Sequence, residues 1–476
     1  METLEIISGF FYNGHTPMGE EQQSWKMRRI GNRMVFSSIE FIYFFLPLFL
    51  LIYYMLPGSL KNAGLFLGSM VFYTIGSWKS PEHVILFAFS LIINYCLGRL
   101  VERYNSKAWF VLGIGINLVQ LGLFKYVLHI LPVGISFYTF QAISYLCDVR
   151  RRKCVAEKSF INFGTYLSMF PQLIAGPIVK YPDIRAQIQD RQYRLSDFVQ
   201  GLQVFVIGLG SKVLLANRVG VLWSQLSVIG YESVSTPLAW LGLFSYTFQI
   251  YFDFWGYSLM AIGLGKMLGF DLPVNFDYPY LSTSMTEFWR RWHITLGSWF
   301  KEYVYIPLGG NRGSKARVYR NLFVVWLLTG IWHGAGLNFV LWGLILFILI
   351  VLEKAGLKKF LDKWRLLGHA YMAVFIPLTW AVFANSDWQQ MILFFKRLFD
   401  MGGTAGSLFV GDYIKYGREY GFYMLVCLVF ITRLPSKIWS KIKDTYVGQV
   451  ILSVMFVAVV YCLYIGLDNP FLYYQF

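Results

Sequence analysis

Apolar stretches long enough to cross a bilayer, roughly twenty residues each, recur from one end of this chain to the other. They fall at 41–56, 62–79, 82–98, 108–131, 133–147, 161–178, 199–222, 237–267, 321–350, 370–386, 419–434 and 448–466. A large soluble core would use shorter, amphipathic segments instead. Composition agrees: 56% of the residues are hydrophobic and only 14% are charged, where soluble domains run near a quarter charged. The chain reads as an all-α polytopic membrane protein. The stretches 133–147 and 161–178 are short or broken by Gly and Pro. They suit re-entrant or buried segments, which a membrane protein tolerates where protein or water satisfies the backbone.

A net charge of +16 raises the question of a nucleic-acid partner. The basic residues, however, sit in short runs between apolar spans, such as Arg150-Arg151-Arg152-Lys153 and Lys358-Lys359. That is the pattern of cytoplasmic loops, so no nucleic acid is expected and membrane lipid is. The basic stretches 150–158, 180–194, 311–320 and 433–443 are placed on the cytoplasmic side. One crossing after the last of them puts the C-terminus on the extracytoplasmic side. Three regions follow: a polar N-terminal arm at 1–33, which reads as a start-site extension before Met34, a membrane domain at 34–467, and a tail at 468–476. Cys96, Cys147, Cys154, Cys427 and Cys462 stand singly, with neither a disulfide framework nor metal-ligand spacing. No metal is expected.

His333 lies inside the apolar run Leu322–Ile350, in Trp326-Leu-Leu-Thr-Gly-Ile-Trp-His-Gly334. An ionisable group at membrane depth is expensive and usually faces an interior cavity with a role. Gly330, Gly334 and Gly336 beside it allow close approach of a backbone or a ligand. Imidazole, with an unperturbed pKa near 6.5, suits proton abstraction. The plainer alternative is a core histidine bonded to a helix neighbour.

A second cluster is Phe288-Trp289-Arg290-Arg291-Trp292-His293, followed by Lys301 among aromatic residues. Arginines grip phosphorylated donors such as coenzyme A, and indole rings stack on adenine. Trp289, Arg290, Arg291 and Lys301 are therefore the candidate donor-binding residues. The same residues also read as an interfacial aromatic belt with snorkelling arginines. Asp253 and Glu287 are candidates for orienting a histidine or for structural ion pairs. Gly208-Leu-Gly210 and Gly263-Leu-Gly265 read as helix-packing sites. Phosphate-loop, H-E-x-x-H and G-x-S-x-G signatures are missing. The ending Asn469-Pro-Phe-Leu-Tyr473-Tyr474-Gln-Phe476 is either an interfacial anchor or a phenolic oxygen offered to the outer mouth of a membrane cavity.

Six segments, in order, resemble the membrane-bound O-acyltransferase (MBOAT) superfamily, in its bacterial alginate O-acetyltransferase-like branch. They are Pro132-Val-Gly-Ile-Ser-Phe-Tyr-Thr-Phe-Gln-Ala-Ile-Ser-Tyr145, Phe170-Pro-Gln-Leu-Ile-Ala-Gly-Pro177, Asn275-Phe-Asp-Tyr-Pro-Tyr280, Phe288-Trp-Arg-Arg-Trp-His293, Tyr305-Ile-Pro-Leu-Gly-Gly-Asn-Arg312 and Gly330-Ile-Trp-His-Gly334. The resemblance implies an MBOAT-type funnel of about 11–13 transmembrane and re-entrant helices around a catalytic tunnel. It maps the family's invariant histidine onto His333 and a supporting one onto His293. It implies a cytosolic acyl thioester donor, first of all acetyl-CoA, with no permanently bound cofactor. It also implies an extracytoplasmic acyltransferase partner and a polysaccharide acceptor, at a bacterial cytoplasmic membrane. The tail is similar to the F-x-Y-F-x-F ending of partner peptides in teichoic-acid D-alanylation, which implies that Tyr473 accepts the acyl group in passing.

The expected activity is O-acetylation of a cell-surface polysaccharide by acyl transfer across the membrane. Within the same class, a carrier-protein-linked donor such as D-alanyl is the runner-up. A proton-coupled transporter or flippase, with His333 as relay, is the rival from another class.

Overall fold

The computed structural model describes residues 34–174, 176–400, 411–466 and 472. The arm at 1–33 and all of the C-terminal tail except Leu472 lie outside the described residues. Among the described residues every regular element is a helix. Short turns aside, the order is α1 (Phe41–Met55), α2 (Lys61–Gly76), α3 (Pro81–Tyr104), α4 (Lys107–Val127), α5 (Ile135–Arg150) and α6 (Phe160–Ser168). Then come α7 (Tyr181–Gln189), α8 (Leu195–Ile229), α9 (Thr236–Met267), α10 (Met285–Arg291) and α11 (Ile294–Phe300). The rest are α12 (Lys315–His333), α13 (Leu337–Leu352), α14 (Arg365–Ala384), α15 (Trp388–Phe399), α16 (Asp412–Phe430), α17 (Leu434–Ile442) and α18 (Tyr446–Tyr464). Six of the described helices are long and apolar enough to cross a membrane, or seven if the bent pair α16–α17 forms one span. This is a multi-pass membrane protein.

The helices differ in what their apolar surface meets. On α18, Val447, Val450, Val454 and Val457 are all exposed, which in a bilayer is a lipid-facing stripe. On α5 every residue except Arg150 is buried, so this short segment is enclosed by protein, as its Gly-Pro-flanked sequence leads one to expect. Between these extremes, α8 and α9 pack backbone against backbone. A Cβ at Gly208 would sit 2.5 Å from the Gly256 carbonyl oxygen, so only glycine permits the approach.

The apolar run 321–350 is not one span. It breaks at Gly334-Ala335-Gly336 into α12 and α13, which fold back on each other. The reason is local: the backbone turns extended at Gly334 and Gly336, and glycines let the two helices touch. A Cβ at Gly330 would lie 2.5 Å from the Phe339 carbonyl oxygen, and one at Gly343 would lie 2.5 Å from that of Trp326. His333 therefore sits at the tip of a helical hairpin rather than midway along a span. The basic stretches before α12 and after α13 accordingly lie at the same end of the hairpin.

Candidate active site

His333 is the last residue of α12. The helix starts where the Ser314 side chain accepts from the Arg317 N–H, an ordinary N-cap. Its other end is less ordinary. A helix leaves its last four carbonyls without partners, and lipid cannot supply them. Here side chains supply three of them: Tyr126 Oη donates to the Ile331 carbonyl, and Lys125 Nζ donates to the carbonyls of Trp332 and His333, the latter at 3.2 Å. The imidazole is packed by ring edges. Trp342 lies at 5.0 Å and 87°, Phe383 at 5.1 Å and 83°, and Trp332 at 4.6 Å. Nδ1 is buried with no hydrogen-bond partner among the described residues, and the ring lines a cavity.

His293 is held differently. It caps the start of α11 in the left-handed region, at φ 45° and ψ 54°, a conformation a β-carbon disfavours. Neighbouring backbone bonds impose it: Ile294 N–H donates to the Asn275 carbonyl at 2.9 Å, and Asp277 N–H to that of Arg291 at 2.9 Å. The Asn275 side chain then fixes the ring. Its Oδ1 accepts from the Thr295 N–H at 3.3 Å and from Thr295 Oγ1 at 2.9 Å. A backbone N–H only donates, so that atom is the amide oxygen. His293 Nδ1, 3.1 Å away, must donate to it as well, which leaves Nε2 as the ring's lone-pair nitrogen.

Upstream, α10 delivers this segment. Ser284 accepts from the Glu287 N–H, and Glu353 accepts from the N–H groups of Met285 and Thr286. A carboxylate at a helix start is favourable on both hydrogen-bond and dipole grounds. Glu287 itself binds Arg291 at 2.7 Å.

Both histidines line one cavity, together with Asp253, Trp342, Trp380 and Leu472. Its volume is about 20 Å³, room for about one water, so a thioester arm enters only as lining side chains move. Asp253 forms an ion pair with Lys212 at 2.7 Å, both fully buried, and Lys212 also donates to Asn217 Oδ1 at 2.8 Å. Leu472 N–H donates to Asp253 Oδ2 at 3.0 Å. The backbone of the C-terminal segment thus reaches the histidine cavity. Tyr473, the next residue, lies outside the described residues.

The candidate donor residues do not form one patch. Trp289 packs against Trp326, Trp342 and Trp380 at 5.1, 5.5 and 6.1 Å, and so joins the rings around His333. Arg291 is committed to Glu287 and approaches Asp277 at 3.9 Å, while Arg290 and Lys301 are exposed. A separate basic cluster gathers on Glu302 instead: Lys180 at 2.6 Å, Lys153 at 3.4 Å, and Arg151 on its backbone carbonyl at 3.2 Å. Burial alone would raise the Glu302 carboxyl, but its bond to Lys180 and the charge of Lys153 hold it below its ordinary value.

Sequence reasoning missed Lys125 and Lys212. The signal was present, since each is a cation inside an apolar run, the same argument that singled out His333.

The membrane-bound O-acyltransferase family pattern matches residues 124–361, a stretch that contains both histidines. The chain is 38% identical to the probable alginate O-acetylase AlgI of Pseudomonas aeruginosa over 397 residues, covering 78% of this chain and 75% of that protein. It is 34% identical to the peptidoglycan O-acetyltransferase of Helicobacter pylori, over 78% of this chain and 81% of that one. Similarity to the teichoic acid D-alanyltransferase of Streptococcus thermophilus is lower, 28% over 48% of this chain and 58% of that protein.

Proposed function

Since this chain belongs to the membrane-bound O-acyltransferase family and is an O-acyltransferase, we propose that it moves an acetyl group from acetyl-CoA towards a cell-surface polysaccharide. The observation that carries the site assignment is the shared cavity. His333 lines it, and so does His293, with a ring orientation fixed by Asn275. In the proposed reaction His333 takes the proton of an acceptor hydroxyl as that oxygen attacks the thioester carbonyl. The carbon–sulfur bond breaks, and the proton leaves with the thiol. His293, with its lone pair at Nε2, supports the reacting groups.

The acceptor is proposed to be the phenol of Tyr473, which relays the group to an extracytoplasmic acyltransferase and so to the polysaccharide. Support comes from Leu472, whose backbone is bonded to Asp253 beside the histidines. The basic stretches at 150–158, 180–194, 311–320 and 433–443 support a cytoplasmic donor side and an outer C-terminus, in a bacterial cytoplasmic membrane. Arg290, Arg291, Trp289 and Lys301 remain the proposed donor contacts. Acetyl is preferred over a carrier-linked D-alanyl group because the acetyltransferase relatives are the more similar and match more of the chain.

The test is a deletion strain complemented with wild type or His333→Ala. The reading predicts that only wild type restores O-acetyl groups to the surface polymer. Full restoration by His333→Ala would refute it. Mass spectrometry of the C-terminal peptide from a partner-depleted strain should show an acetyl adduct on Tyr473. An unmodified peptide would reduce the tail to an anchor.

A further inference from the structure

Lys125 is a lysine in an apolar helix, 5% exposed, with no carboxylate in a salt bridge to it among the described residues. A buried ammonium is expensive unless strong acceptors surround it. Its acceptors are the carbonyl oxygens of Trp332 and His333, with the Trp332 ring at 5.6 Å from Nζ. These are the last two carbonyls of α12, and they carry part of the negative end of the helix dipole. The adjacent Tyr126 donates to the Ile331 carbonyl. Two consecutive residues of α4 therefore hold three consecutive carbonyls of α12, ending on the residue proposed as the base.

Beyond His333 the backbone is extended and gives the helix end no hydrogen-bonded C-cap of its own. Among the described residues the ring is likewise held by aromatic edges and not by a hydrogen bond at Nδ1. The imidazole's position thus depends on where the last turn of α12 lies.

We propose that Lys125 is the positioning residue of His333: its ammonium clamps the carbonyls of residues 332 and 333 and so aims the imidazole into the cavity. Here the ammonium, rather than the imidazole, answers the negative end of the helix. The proposal rests on the reading of His333 as the base.

The test uses the full-length purified chain in detergent, with acetyl-CoA as donor, and reads kcat as the single-turnover rate constant of thiol release at saturating donor and KM as the half-saturating donor concentration. Lys125→Met keeps the volume and removes the donor. A small displacement of a catalytic group costs on the order of 10²-fold, so kcat should fall by about that factor. Donor KM should change less than about twofold, because uniform binding is untouched. Lys125→Arg, whose fork can reach two carbonyls, should recover most of the loss. Amide hydrogen exchange should rise in residues 329–333 of the Met variant and stay unchanged in α13. In a His333→Ala background, Lys125→Met should lower the residual rate no further.

Wild-type kcat in Lys125→Met would overturn the proposal, as would a loss that Arg leaves unrelieved. If Lys125→Met does not fold, Lys125→Gln retains one donor and should give a partial loss. A chain that folds with none of the three assigns Lys125 to the fold and overturns the proposal too. Wild-type activity in His333→Ala refutes the base reading instead, and exchange at 329–333 then tests the clamp alone.

Discussion

Two imidazoles share one cavity, and the protein holds them by opposite means. His293 is fixed through its own ring, with Nδ1 on an asparagine whose other bonds leave it one orientation. His333 is fixed through its backbone and its faces, by capped carbonyls below and aromatic edges around, with no bond at Nδ1 among the described residues. A ring tied at one nitrogen is committed to one tautomer. His333 makes no such bond among the described residues, so its orientation rests on the helix end and on the rings around it. Either ring can exchange a proton at Nε2, so the loss on releasing each is what separates the base from the supporting group.

Breaking the hold on His333 should cost more than breaking the hold on His293. Gly330→Ala inserts a Cβ against the Phe339 carbonyl and pushes α12 from α13. Overpacking of this kind costs about 1–3 kcal/mol, and the displaced base should lower kcat on the order of 10²-fold. A thermal melt and a rate assay on the same preparation check both. Asn275→Leu removes the acceptor at His293 Nδ1 and frees its tautomer. Loss of such an outer partner costs about 10-fold or more in metal-bound histidines. The expected drop here is about 10-fold in kcat, and Asn275→Asp, which keeps an acceptor, should lose less. A larger loss for Asn275→Leu than for Gly330→Ala would reverse the assignment of roles.

Glu302, away from both rings, supplies the control. Its carboxyl is held below its ordinary value by Lys180 and Lys153. The stabilisation is therefore present at neutral pH and disappears as pH falls through the folded-state value. The pairs are partly exposed, so Glu302→Gln should cost no more than about 1 kcal/mol at pH 7, with kcat unchanged. A Tm difference that persists in acid would contradict the linkage.

Most of the architecture was legible because a bilayer forces apolar residues into helices of spanning length, and loop charge marks their ends. The run 321–350 shows the limit. Hydropathy cannot distinguish one long span from a hairpin, and the break is written only in three residues, Gly334, Ala335 and Gly336. The cavity was legible in part. His333 and His293 stood out as ionisable groups in apolar or aromatic surroundings, whereas Asn275 looked like an ordinary loop residue. Its importance depends on the left-handed turn at His293, which brings together positions eighteen apart in sequence. The grip of Lys125 on α12 links residues 207 and 208 positions apart, beyond the reach of any local pattern.

The most direct measurement is single-turnover release of thiol from acetyl-CoA by purified wild type, His293→Ala and His333→Ala. General-base catalysis contributes about 10²–10⁴-fold. His333→Ala should lose about 10³-fold or more, and His293→Ala a smaller, nonzero amount. Wild-type thiol release by His333→Ala, or the reverse order of the two losses, would contradict the assignment of His333 as the base.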